Sequence, residues 1–296
     1  MSAFSGIQKP TNKIVAVGDP LVADRKVGGT VTNMKPGRLV KRGSTDFDIA
    51  IGTAFDVCGW LGYEQAHPSY RPTDVDTAYA ADDMAPVLYG GKFVIVGSLV
   101  KGCVVTQGEY LANWTNGQVI GPIAMMEGGL ALGIPFEKAT SEQTTYIELP
   151  ADMVVKDVIV DVSTNVASSH IDIGILSTES GGDADGFLDG ESCAAAGKVE
   201  HNMVDATAAN NTLGALLVES DIKSADGTAL FYSVPKQPGH VCDGTAKTIT
   251  YTTSDHAIEG TFWVVLEAEG FNIVGKAVES VDASSAAQDI MLLSSI

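Results

Sequence analysis

The stretch "VVKDVIVDVS", residues 154–163, decides the fold. Lys156, Asp157 and Asp161 interrupt a Val/Ile face at about every second residue, the spacing of a strand with one buried and one wet face. The same style runs outward in both directions. Upstream lie "TNKIVAV" (11–17), "GKFVIVGSLV" (91–100), "KGCVVTQGEYL" (101–111) and "TTYIELP" (144–150). Downstream lie "SSHIDIGILST" (168–178), "TALFYSV" (228–234), "AKTITYTTS" (246–254) and "GTFWVVLEAEGF" (260–271). Glycine and proline fall mainly between these β-branched runs, where turns need them. Only "EGGLALGIPFEKA" (127–139) and "DATAANNTLGALLVE" (205–219) admit a short helix, and neither has a defined start and stop. Short strands separated by turn signals predict an all-β chain of sandwiches or barrels.

A chain of 296 residues has room for one large or two ordinary domains. The polar run "KATSEQTT" (138–145) follows "LALGIPFE", and the charge balance changes there. Residues 1–145 carry 12 Lys+Arg against 14 Asp+Glu, and residues 146–296 carry 6 against 23, which together give the net −19. The expected organisation is therefore a small N-terminal β-barrel-like domain, 1–145, followed by an acidic, jelly-roll-like β-sandwich, 146–296. The second half would repel phosphate, which excludes nucleic acid as its partner. The first half concentrates Arg25, Lys26, Lys35, Arg38, Lys41 and Arg42 within residues 24–43. That run reads either as a docking face or as solvated surface charge.

No apolar run approaches the ~18 residues that span a bilayer, so no membrane contact is expected. The N-terminus lacks the basic-then-apolar order of a secretory signal, which predicts synthesis and retention in a cytosol-like compartment. Cys58, Cys103, Cys193 and Cys242 have no metal-type spacing and read as buried thiols rather than as two disulfides. The tail's apolar group Ile290–Leu293 is expected to be tied to a core or to a neighbouring subunit.

Catalytic signatures are missing: there is no GxGxxG, GxxxxGK[ST], HExxH or GxSxG. The histidines are scattered, and His240, Cys242 and Asp243 are too close in sequence to converge as a triad. The acidic stretch "GGDADGFLDGES" (181–192) invites comparison with a calcium loop. With Gly186 at the sixth position of an EF-hand, Asp183 and Asp185 take positions 3 and 5, but Gly181 and Ser192 occupy positions 1 and 12. It is not an EF-hand. A β-loop calcium site of Asp183, Asp185, Asp189 and Glu191 stays open beside the plainer reading, an acidic turn between strands. "NWT" (113–115) and "NNT" (210–212) match the glycosylation sequon, and without a signal peptide they read as chance. Trp60 and Trp263 read as core, and Trp114, at a turn, as open to a partner.

Several stretches carry a resemblance. "VGDPLVADRKVGG" (17–29), "MKPGRLVKRG" (34–43), "LVKGCVVTQGEYLANWTNGQVIG" (99–121) and "GGLALGIPFEKA" (128–139) resemble the capsid cement, or head decoration, proteins of tailed viruses. Gly102, Val105, Gly108 and Leu111 fit one element of that pattern, and Leu132, Gly133, Ile134 and Glu137 another. "IDIGILSTESGGDADGFLDGES" (171–192) is similar to the sandwich domains that phage head or tail proteins carry outward. The stretch "AHPSYRPTDVDTAYAADDM" (66–84) has no counterpart in the pattern and reads as an insertion. The resemblance implies a non-enzymatic virion protein, made in the host cytoplasm and bound to the capsid exterior. It implies no cofactor, the major capsid protein as partner, self-association as a homotrimer, and docking through the six cations named above. The alternatives are a tail-tube or tail-fibre protein and a glycan- or host-surface-binding sandwich.

Overall fold

The computed structural model describes residues 7–29, 31–126, 129–199, 213–219, 222–223, 229–231, 234–235, 239–242, 244–254 and 257–296. Among them the fold is all-β, and the only helical element is the single 3-10 turn Thr115–Gly117. Two compact units are present: Met1–Ile123 with Glu269–Ile296, and Ala124–Ala268. The expected boundary at residue 145 thus falls inside the second unit. The reason is that the strand Gly129–Phe136, ahead of that boundary, pairs with Gly260–Leu266 of the second unit, while the C-terminal strand Gln288–Ser294 pairs with Val94–Leu99 and Ile273–Ala277 of the first.

The first unit begins with a closed barrel of five strands, in the order Leu21–Val27, Asp48–Ile51, Leu39–Arg42, Gly59–Leu61 and Met84–Tyr89. Alternation places Val27, Val40, Ile49, Leu61, Ala85 and Val87 in its core, with Met34 and Tyr79 among them. Tyr79 comes from the insertion-like stretch. Its backbone N–H donates to Met34 O and its hydroxyl to Gly62 O (2.8 Å), so that stretch is part of the barrel's core. Beside the barrel this unit has a sheet in the order Val15–Val17, Val94–Leu99, Gln288–Ser294, Ile273–Ala277, Tyr110–Asn113 and Val119–Met126. A parallel pairing of Val119 with Leu99 brings the last of these strands back to the second. Ile290, Met291 and Leu292 are buried, as a tail tied to a core requires.

The second unit has eight main strands: Gly129–Phe136, Gln143–Leu149, Val154–Thr164, His170–Ile175, Asp183–Ser192, Gly197–Val199, Lys247–Thr253 and Glu259–Glu267. Counted in that order, one sheet runs first-eighth-third-sixth and the other second-seventh-fourth-fifth, all antiparallel. That is the connectivity of an eight-stranded jelly roll. Its core holds the rings of Phe136, Tyr251 and Phe262, with centroids 6.1–6.4 Å apart, contributed by both sheets. In the strand Val154–Thr164, Val155, Val158, Val160 and Val162 are buried. The step from odd to even numbers follows a bulge between Val155 and Asp157, where the Asp157 carboxylate accepts the Val158 N–H at 2.8 Å. The first helix candidate is a strand, Gly129–Phe136, paired along its length with Gly260–Leu266. The second lies largely outside the described residues.

Candidate functional site

The basic run 24–43 is divided by the barrel into two groups. Arg25 and Arg42 sit on the inward faces of their strands, in register with Val27 and Val40, near one mouth of the barrel. They line a cavity of about 300 Å3 whose floor is Ala23, Ile49 and Val87, and whose rim includes Asp46, Asp48, Cys58 and Tyr89. The cations in and beside it already have neighbours to hold them. Lys26 reaches Asp82 at 3.1 Å and Asp48 at 3.6 Å. The hydrogen bond to Asp82, then the Asp48 charge, raise its pKa above the ordinary lysine value. Arg42 pairs with Asp46 at 2.7 Å, and Arg25 lies over the Phe47 ring at 5.7 Å. Cys58 is exposed, where a buried thiol was expected. Burial around its sulfur and the nearby Asp56 push its pKa up, against the pull of Arg25 and Arg42. Lys41, one residue from Arg42, faces the opposite way.

Lys35 and Arg38 belong to the loop before the strand Leu39–Arg42 and join a different group. Together with Lys9 and Lys13 they line a hollow of about 110 Å3, with Asp76 and Asp289 on its wall and Ile14, Pro36 and Val96 among its apolar surfaces. Gly37 makes this possible. Its φ of +78° suits glycine, and a Cβ there would meet Val96 O at 2.4 Å, so only glycine lets the loop lie on that strand. On the other side, one Glu64 carboxylate oxygen accepts the N–H groups of both Ile14 (2.8 Å) and Val15 (3.1 Å), fixing the segment that carries Lys13. Arg38 donates one long bond to Asn116 O (3.3 Å). Burial lowers its pKa, opposed by the Asp289 charge. Lys9 is paired with Glu279 at 2.8 Å. Sequence reading missed Lys9 and Lys13, which lie outside the basic run and join it only through the fold.

The acidic stretch is not a loop. Asp183–Ser192 is a strand at the edge of its sheet, kinked by register shifts against His170–Ile175. Asp185 and Asp189 are exposed, whereas Glu191 is buried and set apart from them. Asp183 shares a hydrogen bond with Asp185. That bond, then burial, then the Asp185 charge raise its pKa to about 6. Asp172 accepts the Gly190 N–H at 2.7 Å, and burial raises its pKa in spite of that bond. Among the described residues no three acidic, histidine or cysteine side chains are grouped to hold a metal ion.

Two further readings change. Trp114 is buried rather than available to a partner, and meets Phe271 edge-on at 5.7 Å. Trp263 is half-buried, while Trp60 is fully buried and donates to Ser294 Oγ at 3.1 Å. Asn113, the asparagine of "NWT", is completely buried. Its Nδ2 is within 3.1 Å of the carbonyls of Thr53, Ala54 and Gly270, and its Oδ1 accepts Asn272 N–H at 2.8 Å. Such a side chain is a structural tie and has no access for a glycan. The sequon at 210–212, His201, His256 and Asp243 lie outside the described residues. Cys103, Cys193 and Cys242 are buried free thiols, each pushed up to about 12 chiefly by burial. No described helix is long and apolar enough to cross a membrane. No family model, curated protein or solved structure matches the chain.

Proposed function

We propose that this chain is a non-enzymatic structural protein of a tailed-virus particle, binding the outside of an assembled capsid and stabilising it. The observation that carries the reading is the division of charge between the two units. The first unit holds 12 Lys+Arg against 15 Asp+Glu, and the jelly roll 6 against 22. A nearly neutral unit with two local groups of cations is suited to docking on a large surface. A unit at −16 repels its neighbours and resists aggregation when many copies crowd together. Trimeric association would multiply weak contacts on a symmetric shell through avidity. The resemblance of residues 17–43 and 99–139 to cement proteins points the same way.

The test is addition of purified protein to undecorated shells of a tailed virus. The expected result is uptake at a fixed stoichiometry, with raised resistance of the shells to heat. Saturating protein that never attaches would sink the proposal. Labelled virions in negative stain would separate the head from the tail, where a tail protein would sit.

A further inference from the structure

The hollow between Lys13, Lys35 and Arg38 differs from the barrel mouth in one respect: its cations are not used up. At the mouth Arg42 has a carboxylate partner and Arg25 lies over the Phe47 ring, while the neighbouring Lys26 is paired with Asp82 and Asp48. In the hollow only Lys9 is paired, with Glu279. Lys13 and Lys35 have no ion-pair partner among the described residues, and Arg38 has a single long bond to a neutral carbonyl. The facing acids are Asp76 and Asp289, both exposed. Three cations without an ion-pair partner, Arg38 under the charge of Asp289, against two carboxylates leave a locally positive hollow on a chain of net −19.

We propose that this hollow is a binding site for a glutamate side chain presented by an acidic segment of a protein partner. Its size, about 110 Å3, suits one carboxylate with a short stem. Its walls favour a side chain over a free oxyanion. Ile14, Pro36 and Val96 offer apolar surface to the methylenes of glutamate, which phosphate does not have. The half-buried guanidinium of Arg38 is the donor best matched to a carboxylate, because its planar fork makes two parallel bonds and burial strengthens them. Lys13 and Lys35 add long-range attraction that speeds encounter and fades with salt. The site deepens the docking reading and rests on it only for the partner's identity.

The experiment uses the full chain and a fluorescent, end-blocked hexaglutamate peptide, read by anisotropy at low ionic strength. Wild type is expected to bind and to release the peptide as salt is added. Lys13→Glu with Lys35→Glu should weaken binding about tenfold or more. Lys138→Glu with Lys198→Glu makes the same change of charge in the jelly roll and should leave binding intact. Both double variants alter surface lysines, and their melting profiles establish that each is folded. Absence of peptide binding, equal loss in the two variants, or displacement by inorganic phosphate as effective as by unlabelled peptide would each overturn the site. Shell attachment is scored in parallel. A wild type that binds hexaglutamate but never attaches to shells refutes the capsid reading and leaves the site standing. Attachment without any peptide binding refutes the site and leaves the capsid reading standing.

Discussion

The two units are built from the same kind of strand but are closed by different means. In the jelly roll the pieces come from one continuous stretch, 124–268, and rings from both sheets fill the centre. In the first unit the closing pieces come from the far end of the chain: Gln288–Ser294 completes a sheet begun at Val15, and Asn113 and Trp60 bind segments more than 150 residues away. Both units also hold buried polar ties: in the jelly roll Thr145 Oγ1 donates to Ile249 O and Thr253 Oγ1 accepts the Ala139 N–H. What differs is reach, because Asn113 and Trp60 tie early strands of the first unit to the C-terminal segment. Buried hydrogen bonds are modest in net value but costly to leave unmade, so a single polar loss there separates segments far apart in the chain.

The sharpest way to break this comparison is to remove residues 288–296. The first unit should lose its fold, because two strands lose their partner and buried Ile290, Met291 and Leu292 disappear. The jelly roll should persist, read by hydrogen exchange as protection kept in 129–199 and lost in 94–123. Loss everywhere would mean that the units do not fold separately.

Phe262→Ala tests the other side. It empties the centre of the ring cluster and should cost about 3–5 kcal/mol, confined to the jelly roll. Asn113→Ala comes next, at about 3 kcal/mol, since it leaves three carbonyls and one N–H of the first unit without their partner. Asn113→Asp should not rescue it, because a carboxylate donates nothing to those carbonyls. Denaturant unfolding checks both. If Asn113→Ala is neutral, the contrast between the units fails.

The smallest effect concerns pH. The Asp183 pKa of about 6 lies above the ordinary 3.8, so its folded state favours the protonated form. Its contribution to stability is full below about pH 4 and is lost as pH rises through 6. The jelly roll should therefore melt slightly higher at pH 5 than at pH 7 on this account. Asp183→Asn should reduce that difference, and an unchanged difference would remove Asp183 as its source.

Parts of this arrangement are legible along the chain. The two-residue period of "VVKDVIVDVS" belongs to a half-buried strand, and the bulge between Val155 and Asp157 accounts for the break in its alternation. Strand partners are not legible, because Leu130 meets Leu266 across a jelly roll and local pattern carries no address for so distant a neighbour. "EGGLALGIPFEKA" shows the limit of reading by period. Buried on both faces, a strand loses its alternation and resembles a short helix. At the candidate site, Lys35 and Arg38 are visible as part of a basic run, but Lys13 is not, since it reaches them only through Glu64 and Gly37. "NWT" misleads for a related reason: a sequon is defined by three residues, whereas access depends on what packs over them.

The sequence by itself determined the all-β class, the two-part plan and the uneven charge, because residue type and spacing set which surfaces can be wet and which must be buried. Tertiary structure alone decided where the units divide, how the six basic residues split into two groups, and which asparagine, tryptophan and acids are buried. Those depend on long-range strand pairing, in which one shift of register turns a side chain from solvent to core.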